Sequence, residues 1–138
     1  MMVIKGTKGQ GIVEFTLIIM LLLLIGFGVF DLGRVFHAII TITNASREGA
    51  RYLTLHPSDK TGGFIGTKNA AVNEAQGSSL NILPSQVIVP LCIDNDTLEG
   101  CDSGYPVRVT VSYKVDFVME QFFSSFITLT RSTEMIVP

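Results

Sequence analysis

The chain has 138 residues and a formal charge of −2, with 47% of its residues hydrophobic and 16% charged, against about 25% charged in an average soluble domain. That length allows one domain, and the near-neutral balance argues against a nucleic-acid partner, which needs a basic surface. The shortage of charge is local: the 22 residues between Lys8 and Asp31 hold one charged side chain, Glu14, and the other 116 hold 21. This argues against a freely soluble cytoplasmic enzyme.

Residues 1–9 are short and basic through Lys5 and Lys8 and contain no apolar core of their own. From Phe15 to Phe30 run 16 residues without a charge, about 24 Å as a helix, short of the roughly 30 Å hydrocarbon layer of a bilayer. Starting at Ile12 gives 19 residues and about 28 Å, which spans but takes Glu14 in. Lysines before the block and Asp31 after it place the N-terminus in the cytoplasm and everything beyond Asp31 outside. The remaining sequence is too small to bury a helix apolar on all sides. A cleaved secretory signal is the rival reading, with a poor small-residue site at Gly26 and Gly28, but signal cores run about 7–15 residues.

Glu14 has two readings. One is an interfacial acid near a helix N-terminus, where the macrodipole favours it; the other is a functional carboxylate that carries an insertion cost of up to roughly 2.5–3.5 kcal/mol. The surrounding residues, Lys8-Gly9-Gln10-Gly11-Ile12-Val13-Glu14-Phe15, resemble the processing site of type IV-type pilins and pseudopilins. There, prepilin peptidase cuts after a glycine and the fifth mature residue is Glu. Cutting after Gly9 makes Gln10 the first mature residue and Glu14 the fifth, and the apolar helix stays on the product.

The ordered set narrows further. Glu14-Phe15, an aliphatic run, Gly26 and Gly28, Phe30-Asp31-Leu32-Gly33-Arg34 and Asn44-Ala45-Ser46-Arg47-Glu48-Gly49-Ala50-Arg51-Tyr52 resemble the TadE-like family, minor pseudopilins of tight-adherence (Flp) pilus systems. The chain departs from that pattern at Met20, where the family often has proline, which implies a straighter helix. The resemblance implies a pilin-like α+β fold and a structural subunit assembled through its helix. It implies prepilin peptidase, other pilins and pseudopilins, and an ATPase-driven assembly platform as partners. Gly9 and Gln10 are then the processing residues, and Glu14 and Phe15 the assembly residues. In such proteins the fifth-residue Glu neutralises the N-terminal amine of a neighbouring subunit; cyclisation of Gln10 would delete that amine. An unprocessed membrane anchor presenting a ligand-binding domain is the alternative.

Beyond Asp31 the pattern becomes amphipathic. Leu32, Val35, Ile39, Ile42, Ser46, Gly49 and Leu53 step by threes and fours, with Phe36, Ile40 and Ala50 alongside, and Arg34, Thr41, Asn44, Arg47, Glu48 and Arg51 fall towards water. The helix should reach Leu55 and stop before Pro57. The expected organisation is a leader over 1–9, a membrane helix over 10–30, its amphipathic continuation over 31–55 and an extracytoplasmic domain over 56–138. Ala45, Ser46, Gly49 and Ala50 either admit a closely packed sheet or lie in a tolerant stretch. Gly26 and Gly28 are either packing notches or a soft segment.

In the exported part, Ser58 to Gly66 reads as a loop and Lys68 to Ser79 as a second helix with Ala71, Val72 and Ala75 on one side. Val87 to Cys92 is a first strand. Val107 to Phe117 is the clearest, alternating valines with Arg108, Thr110, Ser112, Lys114 and Asp116. Ile127 to Ile136 is the third. The fold class is therefore α+β, a long N-terminal helix packed on a small antiparallel sheet of about three strands. Phe122, Phe123 and Phe126 are an apolar turn able to cover one end of the core.

Cys92 and Cys101, an isolated pair outside the cytoplasm, favour a disulfide, which in so short a loop contributes somewhat under about 3 kcal/mol. Asp94, Asp96, Glu99 and Asp102 read as a solvated acidic loop rather than a calcium site, because Leu98 stands where a ligand should. No cofactor or metal is expected. His37, His56, Ser58 and Asp59 belong to no catalytic motif, so the chain is not expected to be an enzyme.

Overall fold

The computed structural model describes residues 8–89, 103–118 and 126–138. A single helix, α1, runs Lys8–Leu55 over 48 residues, about 72 Å at about 1.5 Å per residue. It passes through Gly26 and Gly28 without a break. It ends at Leu55 as the sequence predicts: the His56 N–H still reaches the Tyr52 carbonyl at 2.9 Å, and Pro57 then opens a short 3-10 helix, Pro57–Gly62. The most apolar part of α1 has a mean hydropathy of 2.7 and none of it is buried. A core helix would be covered. This helix is long and apolar enough to cross a membrane, and its apolar surface faces outward all round.

Among the described residues, the rest of the chain packs mainly on the second half of α1. Helix α2 (Ile65–Gly77) and a three-stranded sheet lie against it. The strands β1 (Val87–Ile88), β2 (Pro106–Asp116) and β3 (Phe126–Ile136) pair antiparallel in the order β1-β2-β3. The register sets Val87 opposite Val111, Val107 opposite Met135 and Val115 opposite Ile127. The arrangement is α+β, as expected. The alternation read from β2 holds: Val107, Val109, Val111 and Val115 are buried, while Arg108 on the other face pairs with Glu134 across the strand. Of the expected first strand, Val87 to Cys92, pairing covers Val87–Ile88, Val89 is unpaired, and residues 90–92 lie outside the described residues.

The core forms where small residues of α1 meet the sheet. Ala38, Ile42, Ala45, Ser46, Ala50 and Leu53 are each at most 2% exposed. A Cβ built on Gly49 would sit 3.1 Å from Val109 Cγ1 and 3.3 Å from Ala71 Cβ. Of the two readings of this small-residue run, close packing is therefore the one that applies. The predicted stripe needs correction at its edges. Leu32, Phe36 and Ile40 are exposed, and Thr41, expected in water, is buried. The stripe misses because α2 and the sheet both pack on α1 and turn the buried arc away from the row of largest side chains.

The start of α2 also differs from the sequence reading, by one turn. Its first-turn donors are satisfied by a residue distant in sequence. The Asp59 carboxylate accepts the Gly66 N–H at 3.1 Å, the Thr67 N–H at 2.7 Å and the Thr67 hydroxyl at 2.7 Å. The chain reaches this arrangement through two successive left-handed residues, Gly63 (φ 72°) and Phe64 (φ 61°). The second is costly for a non-glycine residue. Burial of the Phe64 ring with Leu53, Val107 and Val137 offsets it.

Candidate functional site

The first turns of α1 carry the residues singled out from the sequence. Lys8 already belongs to the helix, so the Gly9–Gln10 bond lies in its first turn. Gly9 and Gly11 stand on either side of Gln10, and a Cβ built on either would meet nothing within 4 Å. Glycine lowers helix propensity by about 1 kcal/mol against alanine, which loosens this turn as Gly26 and Gly28 loosen the apolar run. Gln10 and Glu14 are both exposed and stand four residues apart, one above the other on the same face. Phe15 is 65% exposed and Ile12, Val13, Leu17 and Ile18 are exposed around it. Glu14 makes no hydrogen bond or ion pair among the described residues. Where lipid or other helices cover this surface, a carboxylate on it calls for a cation, and none of the described groups of this chain supplies one.

A second cluster closes the apolar span. Asp31 is 6% exposed; its Oδ1 accepts the Val118 N–H at 3.0 Å and lies 3.5 Å from Arg34 Nη1. Arg34 in turn donates to the Asp116 carbonyl at 3.0 Å. Two side chains of α1, one turn apart, thus hold the end of β2 against the helix where its uncovered part stops. The sequence reading used Asp31 for membrane topology and assigned Arg34 to the solvent face. Nothing local marks either as a contact across more than 80 residues.

Above this clasp lies a cavity of about 480 Å³ lined by Phe30, Arg34, His37, Ser79, Leu80 and Tyr113 among others. Its polar groups form no acid–base pair with a nucleophile, and His37 is exposed. Among the described residues no three histidine, cysteine or acidic side chains cluster to hold a metal. Elsewhere, Arg51 sits 3.0 Å from Glu48, and its hydrogen bond holds the Glu48 carboxyl below its ordinary range and the guanidinium above its own. Burial pushes Asp59 up, but the hydrogen bonds from Thr67 and Gly66, with the charge of His56, outweigh it and leave this carboxyl below the usual range. His56 stacks on Tyr52 with ring centroids 4.4 Å apart. Cys92, Cys101 and the acidic positions Asp94, Asp96, Glu99 and Asp102 lie outside the described residues, as do Phe122 and Phe123. Phe126, expected to cover the core, is 57% exposed instead, because β3 begins there at the open end of the sheet.

Residues 9–51 match the family model described as TadE-like protein. The match supports the family assignment read from the sequence, covers the two clusters on α1, and points to a protein associated with tight-adherence pili. No curated protein and no solved structure matches the chain.

Proposed function

We propose that this chain is a minor pseudopilin of a tight-adherence pilus system. Residues 1–9 are its leader, removed by prepilin peptidase after Gly9. Residues 10–30 span the cytoplasmic membrane, residues 31–55 continue the same helix outside it, and residues 56–138 form the extracytoplasmic domain. The subunit hydrolyses nothing. It joins a filament or pseudopilus by packing α1 among the helices of other pilins and pseudopilins on an ATPase-driven platform.

The observation that carries this reading is Glu14. It stands one turn from Gln10 on a helix whose surface is apolar and uncovered, with no partner among the described residues. Cleavage before Gln10 creates a positive amine at the same depth, and a neighbouring subunit carries that amine to this carboxylate. Between poorly hydrated groups such a pair is costly to break, by about 3–5 kcal/mol when one partner is removed.

Intact mass of the membrane-extracted protein, with and without prepilin peptidase, tests the assignment. The expected product begins at Gln10 only when the peptidase is present. A mature protein beginning at Met1 or Met2 would make it an unprocessed anchor presenting its domain to a ligand.

A further inference from the structure

We propose that the β2–β3 end of the domain is a second membrane contact, set into the outer boundary of the bilayer beside α1. The proposal rests on the reading that α1 spans the membrane. Its first observation is Val118. This residue follows β2, is 45% exposed and lines an apolar groove with Leu22, Leu23, Gly26, Phe27 and Phe30. All five belong to the uncharged run of α1, and the absent side chain of Gly26 leaves the groove open. A domain standing clear of the lipid would not place an apolar side chain against the span itself.

The second observation is how the charge at this level is handled. A span over residues 10–30 is about 31 Å long, so Asp31 falls at the outer edge of the roughly 30 Å hydrocarbon layer. Asp31 is 6% exposed, with its carboxylate held by the Val118 N–H and by Arg34, an arrangement that removes charge from a lipid-facing surface. On the open side of the helix Leu32 and Phe36 continue the apolar surface at 53% and 57% exposure.

The third observation is the start of β3. Phe126 and Ile127 are 57% and 44% exposed, and the register places them opposite Asp116 and Val115, beside Val118. The Lys114 ammonium sits 4.1 Å from the centre of the Phe126 ring and 3.3 Å from Asp116. Exposed Phe and Ile side chains can lie at the boundary of headgroups and acyl chains, while a lysine stem follows the apolar surface and keeps its ammonium at headgroup level. The occupant of this surface is therefore lipid: the upper acyl carbons and headgroups of the outer leaflet.

The chain contains no tryptophan, so single substitutions report depth. Val118→Trp, Phe126→Trp, Leu21→Trp and Ile136→Trp are each made in the full chain and reconstituted into phosphatidylcholine–phosphatidylglycerol vesicles carrying brominated acyl chains. Tryptophan at 118 and at 126 should emit to the blue of Ile136→Trp and lose most of its emission to lipids brominated near the headgroup. Leu21→Trp should be quenched best by deep bromines, and Ile136→Trp by neither. Emission at 118 and 126 indistinguishable from 136, with 21 quenched, overturns the second contact and leaves the spanning helix intact. An unquenched Leu21→Trp overturns the span, and this proposal with it.

Discussion

The Ser46 hydroxyl of α1 and the Thr133 hydroxyl of β3 lie 2.7 Å apart, joining helix and sheet at a point where Ser46 is fully buried. Ser46 is also 2.9 Å from the Thr43 carbonyl, so it gives its proton there and accepts that of Thr133. Thr133→Val removes one bond while Ser46 keeps the other, and should cost about 0.5–1.5 kcal/mol. Ser46→Val drives extra methyl groups into a filled space and should cost more, about 1–3 kcal/mol. Urea unfolding of the full chain in detergent micelles gives both values, and the order of the two variants is the test.

Gly49 lets helix and sheet approach closely. Alanine there would gain about 1 kcal/mol of helix propensity but place its Cβ within 3.1 Å of Val109 and 3.3 Å of Ala71. Gly49→Val goes further and should lower stability by at least about 1–3 kcal/mol through overpacking. A lowered urea midpoint with an unchanged slope is the expected result.

Asp59 makes the domain acid-sensitive. Its folded carboxyl titrates below the ordinary value, so its contribution is fully present above the unfolded value near pH 4 and fades as pH falls through the folded one. Asp59→Asn should weaken the capping of α2 by about 0.5–2 kcal/mol at neutral pH and flatten the loss of stability below about pH 4. Urea midpoints measured across pH for both proteins check the sign.

Processing and assembly should separate genetically. Gly9→Val should leave full-length protein in the membrane, seen as a larger intact mass. Glu14→Ala should be cut at the normal bond but incorporate poorly, as expected for the loss of about 3–5 kcal/mol at a poorly hydrated pair. Normal trimming of the first, or undiminished incorporation of the second, would remove the role assigned to that residue.

What the sequence made legible is what depends on neighbours along the chain. The apolar run, the proline at 57 and the alternation of β2 are local signals, and the elements they mark stand where expected. The start of α2 was not legible because Asp59, eight residues before Thr67, replaces an adjacent cap. The buried arc of α1 was misread at Thr41 and Ile40 because two elements, not one, press on the helix. Of the candidate site, Gly9, Gln10, Glu14 and Phe15 were singled out through the family resemblance, and the structure sets them in the first turns of α1. The contacts of Asp31 and Arg34 with the end of β2 have no sequence signature, since they join residues that only folding brings near.

The absence of any joint in α1 has a mechanical consequence. The apolar half of the helix and the domain share one shaft with a turn of about 100° per residue, and the domain is clamped to it at several heights from Asp31 to Leu53. The domain has no swivel of its own. Whatever azimuth the lower half takes among its neighbours, the upper half must display in the same direction, like the bit of a key set by its shank.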